Sequence, residues 1–130
     1  MWSSIHEAAA FVGRLFIAAI FLHEAWSKLT AYAGALAYMK AFGVPGWLLP
    51  FAIAVEGGGA LLIVLGWRTR LAAFVLAAFC VATAVLFHAR FGDRNQLLHF
   101  EKNLAMAGGL LVLLAHGGGT WALDAWRSRR

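Results

Sequence analysis

Apolar residues run almost unbroken through four stretches of the chain, and polar residues collect at their ends. Residues 11–30, 47–65 and 71–89 each come close to the ~20 residues that a helix rising ~1.5 Å per residue needs to cross a ~30 Å hydrocarbon layer. A fourth apolar run, 104–115, is too short to cross. Extending it to 97–116 completes a span and draws His99, Glu101, Lys102 and Asn103 into its first turns. Gly117, Gly118 and Gly119 then stop it.

The connections read as turns and surface segments. Residues 1–10 form an amphipathic lead-in, with Trp2 suited to a membrane interface. Residues 31–46 hold Tyr32, Tyr38, Lys40 and the turn signal G-V-P-G, and their Ala-rich middle has room for a short interfacial helix. Pro50 falls in the first turn of the second span, where a missing N–H costs nothing. Residues 66–70 make a tight polar turn and residues 90–96 a charged loop. Trp121 and Trp126 suit an interfacial belt ahead of Arg127, Arg129 and Arg130. The expected fold is all-α, an integral membrane four-helix bundle, with residues 1–130 as one domain.

Composition agrees: 62% of the residues are hydrophobic and 13% charged, and the mean hydropathy is +0.75. A formal charge of +5 is spread over loops and tail without a nucleic-acid-reading motif. Anionic lipid headgroups of the bilayer, not nucleic acid, are therefore the expected partners. Cys80 is the only cysteine and sits mid-span, which excludes an intrachain disulfide or CxxC chemistry. No cleavable signal peptide is expected, because the first apolar run carries His23 and Glu24 and its n-region lacks Lys and Arg. Leaving out Arg14, Lys28 and Lys102 inside the spans, the termini side carries Arg68, Arg70, Arg127, Arg129 and Arg130, against Lys40, Arg90 and Arg94 opposite. Cytoplasmic termini are the expectation.

Candidate chemistry comes from topology. The end of the first span, the start of the second, the end of the third and the start of the fourth lie on one side of the membrane. Glu56 lies nine residues past Trp47, ~14 Å into a ~30 Å core. A carboxylate there finds a cation or stays protonated. Glu24 and Lys28 stand in the acid-then-base helical order and share an arc of about 80° with Arg14. Facing the bundle interior is one fate for Arg14, snorkelling to the near interface the other. His23 lies nearly opposite Arg14. In the fourth span His99, Lys102 and Asn103 share an arc of about 100°, while Glu101 points away. His88 closes the third span at the same depth.

The candidate catalytic residues are thus Glu56, His88 and His99, within a polar cluster of His23, Glu24, Lys28, Lys102, Asn103 and Arg14. An apolar slot with aromatic walls and a His or Glu to bond carbonyl oxygens suits a quinone. Phe21, Trp26, Trp47, Phe51, Phe87 and Phe91 are the candidate walls. A metal held by His23, Glu24, Glu56, His88 and His99 is an alternative, but without an HxxxH or ExxH pair none is assigned. Glycines at 57–59 and 108–109 permit close helix packing, including a homodimer.

Read in order, these residues resemble the DoxX family over about residues 12–124. Gly13-Arg14 opens the first helix and Lys28-Leu29 ends it. Gly43-x-Pro45 precedes the second, and Glu56 with its glycines leads to Gly66-x-Arg68-Thr69-Arg70. Phe87-His88, His99-Phe100-x-Lys102-Asn103-Leu104 and Ala122-Leu123-Asp124 complete the set. Where many relatives carry Ser-Gly upstream of the lysine, this chain has His23-Glu24. The resemblance implies a bacterial inner-membrane four-helix protein. Some relatives belong to thiosulfate:quinone oxidoreductases or redox-stress membrane complexes, and distant ones serve as cargo receptors or assembly chaperones. Many relatives have no known activity; the convergence of polar residues taken together with the resemblance points to a redox-complex subunit binding a quinone-like or other small apolar ligand near Glu56. The alternatives are a non-catalytic scaffold or assembly factor and a proton-coupled small-solute transporter.

Overall fold

The computed structural model describes residues 1–129; Arg130, counted above in the basic tail, lies outside the described residues. Six α-helices succeed one another: α1 (Trp2–Thr30), α2 (Tyr32–Ala41), α3 (Leu49–Leu65), α4 (Thr69–Phe87), α5 (Arg94–His116) and α6 (Leu123–Ser128), with a 3-10 turn, Gly46–Leu48, leading into α3. Among the described residues four helices are long and apolar enough to cross a membrane: Trp2–Thr30, Gly46–Leu65, Thr69–Phe87 and Arg94–His116.

The expected boundaries shift at three places. The lead-in is not separate, since α1 runs on from Trp2 without a break; neither Gly nor Pro interrupts it before Gly13. The third span ends at Phe87 rather than residue 89. The fourth begins three residues early, at Arg94, because the Asp93 carboxylate accepts from the Asn95 N–H at 2.9 Å and caps the helix. The interfacial segment does form a helix, α2. Exposed aromatic rings gather at both ends of the bundle, Trp2, Trp67, Trp121 and Trp126 at one and Trp26, Tyr32, Tyr38 and Trp47 at the other, as membrane interfaces favour.

The spans pack as two pairs, α1 with α3 and α4 with α5. At the end carrying the termini the pairs meet around Ala18, Ile63, Ala73, Leu76 and Leu110, all fully buried. Small residues allow the approach: a side chain on Gly59 would press on Leu76 of α4, one on Gly109 on Ile17 of α1, and one on Gly57 would touch Ala25. Gly58 and Gly108 face open space instead. Toward the opposite end the pairs part. There α2 and the loop after it pack a second cluster, Met39, Val44 and Leu49, against Leu36, Phe42, Ile53 and Phe87.

Arg14 builds the closed end. It is 2% exposed and donates to the Ile63 carbonyl at 2.8 Å, the Val64 carbonyl at 3.3 Å and the Trp121 carbonyl at 2.6 Å. It thereby gives the Val64 and Trp121 carbonyls a partner and adds a second to the Ile63 carbonyl, which already accepts from the Gly66 N–H at 3.1 Å. Gly66 turns the chain there at φ 69°, and a side chain on it would run into Ala122 and Arg14. Asp124 accepts from the N–H groups of Arg68 (2.7 Å) and Thr69 (2.8 Å), capping α4. Partial burial pushes its carboxyl up, but the Thr69 and Arg68 bonds and the charge of Arg127 outweigh this and hold it below the ordinary value.

Candidate functional site

Where the helix pairs part, a cavity of about 750 Å³ opens between them. α1 contributes Ile20, Phe21, Glu24 and Lys28, and α3 contributes Leu49, Phe51, Val55 and Glu56. α4 and α5 close it with Phe79, Cys80, Leu86, His99, Lys102 and Asn103. The walls are mostly apolar, with a few convergent polar groups, the usual make-up of a small-molecule site.

Glu56 lies at its depth, 4% exposed. The Lys28 ammonium donates to both carboxylate oxygens, at 3.0 and 2.9 Å, and to Glu24 at 3.4 Å. Glu24 and Lys28 sit one helical turn apart on the face turned to α3, so one cation serves two carboxylates. This compensates the cost of a charge at bilayer depth.

Histidines occupy the loop end of the cavity. The His88 and His99 rings stack with centroids 5.0 Å apart. His88 Nδ1 lies 2.7 Å from Gln96 Oε1. With the amide oxygen accepting, Nδ1 carries the proton and Nε2 keeps its lone pair. The Asn103 amide donates to the His99 carbonyl at 3.1 Å. Below them α2 forms a cover: Tyr38 packs on Phe42 at 4.9 Å, both rings meet Phe87 at 5.4 Å, and the Arg90 guanidinium lies over Phe42 at 5.2 Å.

Glu24, Lys28, Glu56, His88, His99, Lys102 and Asn103 all line this one cavity. Two members of the expected cluster do not. Arg14 belongs to the closed end, bound to carbonyls, and His23 is turned away from the cavity, on the outer face of α1. Four of the five residues of the metal alternative line the cavity, but among the described residues no three of His, Cys, Asp and Glu come close enough to share a metal ion. Of the expected walls, Phe21, Phe51 and Phe87 line the cavity. Trp26 and Trp47 point outward, and Phe91 packs on Phe100 at 5.0 Å.

Sequence reasoning missed Gln96, Tyr38 and Cys80 as lining residues. Gln96 carries a signal: it stands three and seven residues before His99 and Asn103, on the same helical face. Tyr38 and Cys80 carry none, since their placement depends on how α2 and α4 pack.

The DoxX family model matches residues 9–89, a segment that contains Glu24, Lys28, Glu56 and His88. The Inner membrane protein YqjF of Escherichia coli K12 is 40% identical over 120 residues, covering 92% of this chain and 92% of its own length. The Inner membrane protein YphA of the same organism is 33% identical over 120 residues, covering 87% and 86%. No solved structure matches the chain.

Proposed function

Because this chain belongs to the DoxX family and is an inner-membrane protein of that type, we propose that it binds a quinone-like molecule in the cavity beside Glu56, as a redox-associated membrane subunit. The observation that supports this best is the cavity itself: about 750 Å³, walled by Phe21, Phe51, Phe79 and Leu86, with its polar groups concentrated at Lys28–Glu56 and His88–His99. A quinone needs an apolar slot for its ring and donors for its two carbonyl oxygens. Lys102 and the His99 ring supply donors from α5, while the three Lys28 N–H groups are already shared between Glu56 and Glu24.

Reducing a quinone to a quinol consumes two electrons and two protons. A redox-active partner subunit would supply the electrons. This chain's part is to hold the oxygens and pass protons to them: Lys28 and Glu56 exchange a proton across 2.9 Å, and His88 and His99 connect the cavity to the loop end. Equilibrium binding of a decyl-tailed benzoquinone to protein in nanodiscs tests the reading. The Glu56→Gln, His99→Ala double variant is expected to bind about tenfold more weakly or worse. Unchanged affinity would sink the proposal.

One observation favours a scaffold instead. Glu56 is fully paired by Lys28, and a satisfied buried pair can serve only to fix which helices meet. In that case the same double variant alters folding or assembly, and the wild type retains no quinone through gentle purification. For the transporter alternative, a buried layer of Ala18, Ile63, Leu76 and Leu110 separates the cavity from the far end in this conformation. We further infer that the termini are cytoplasmic, from Arg68, Arg70, Arg127 and Arg129 on their side against Lys40, Arg90 and Arg94 opposite. The cavity mouth and α2 then face the periplasm.

A further inference from the structure

The cavity reaches the molecular surface along two seams of opposite character. α3 and α4 leave the Gly66 turn packed together as far as Gly59, whose position presses on Leu76. Beyond that level they separate, and Phe51, Ala52 and Val55 on one helix face Phe79, Ala82 and Leu86 on the other across the cavity. Phe51 is 63% exposed and Leu86 52%, and Ala82 is exposed as well. These residues therefore line the cavity and touch the surroundings at once: they form an apolar mouth in the span, open to lipid. α1 and α5 likewise meet at Ile17 and Gly109 and then part, but their seam carries Glu24 and Lys28 against His99 and Lys102. Among the described residues Lys102 makes no hydrogen bond or ion pair, although it stands in a bilayer-spanning helix, where an unpaired ammonium is costly.

We propose that the site takes an amphiphile drawn directly from the bilayer, its polar head under the α1–α5 seam beside Lys102 and His99 and its single hydrocarbon tail leaving between α3 and α4. This deepens the quinone reading and rests on it, since it assigns the tail of the same ligand. The head brings an acceptor oxygen to the free Lys102 ammonium. The tail covers Phe51, Phe79 and Leu86 in a mouth where the Thr83 hydroxyl already donates to the Cys80 carbonyl at 3.1 Å and so presents little polarity. A tailless, water-soluble ligand leaves that mouth to lipid and gains nothing from it.

The test compares two probes in nanodiscs: a dimethoxy-methyl-benzoquinone without a tail, and the same head with a decyl tail. Ala82→Trp fills the mouth from a lipid-facing position, where added bulk leaves the core alone. Ala105→Trp, exposed on α5 away from the cavity, is the control. Both probes should bind wild type and the control. Ala82→Trp should lose about tenfold or more for the decyl probe, as expected when a few methylenes lose their apolar cover, and keep its affinity for the bare head. Because each value is read relative to wild type, partitioning of the probe into lipid cancels.

Undiminished decyl binding by Ala82→Trp, or equal loss of both probes, overturns the tail assignment alone. Failure of wild type to bind either probe overturns the cavity reading and this inference with it. A diazirine at the tail end provides a second measurement without any substitution. It should label α3 or α4 near Phe51 and Leu86, whereas labelling confined to α1 and α5 overturns the assignment.

Discussion

A carboxylate 4% exposed in the middle of a membrane helix is tolerable only beside a cation, and Lys28 is the one that reaches Glu56. Its side chain keeps 25% of its exposure while the Glu56 side chain keeps 5%, so the lysine bridges the buried carboxylate to the more open Glu24. Taking the cation away strands a charge, which costs more than the pair itself contributes. Lys28→Met is therefore expected to lose about 3 kcal/mol, the lower end of the range for a buried pair because Lys28 is partly exposed. Reversible unfolding in mixed detergent micelles measures it. Adding Glu56→Met to the same protein should restore most of the loss, because no lone charge then remains. If the double variant is as unstable as the single, Lys28 stabilises through something other than Glu56.

Among the elements, α1 ties both ends of the molecule together. One helix of 29 residues places Arg14 against the carbonyls of α3 at the closed end and Glu24 and Lys28 in the cavity. The wheel puts all three on one arc, and that much was legible in the sequence. Their separation along the axis, ten residues at ~1.5 Å or ~15 Å, puts Arg14 out of reach of the other two, which an angular projection conceals. A lysine at position 14 keeps the charge but not the planar fork that spans Ile63, Val64 and Trp121. Arg14→Lys should leave at least one of these carbonyls unpaired in a lipid environment and lose about 2 kcal/mol, measured by the same unfolding. The proposed binding of the decyl quinone probe, measured in the folded fraction, should equal that of the wild type, because the cavity lies at the other end.

At the scale of the whole molecule, hydropathy made the four spans legible. The grouping of Glu56, His88, His99, Lys102 and Asn103 came from counting crossings. The parting of the helix pairs was not legible. It depends on which small residue meets which partner, Gly59 with Leu76 and Gly109 with Ile17, while neighbouring Gly58 and Gly108 look outward and read identically in sequence. Orientation rests on the same topology. Four crossings leave both termini and the Gly66 turn on one side, where Arg68 and Arg70 stand exposed and Asp124 is occupied by backbone N–H groups, so its charge is partly spent. The opposite side presents Lys40, Arg90 and Arg94, with Asp93 spent on the α5 cap. Insertion obeys the Lys and Arg bias of short loops rather than net charge, so the turn and tail should remain in the cytoplasm. An alkaline phosphatase reporter, active only outside the cytoplasm, should be silent when fused after Arg130 and active when inserted between Gly92 and Asp93; a fluorescent protein that folds in the cytoplasm should show the reverse. The opposite pattern would turn the cavity mouth and its α2 cover toward the cytoplasm, and a donor of electrons or protons would then have to be sought there.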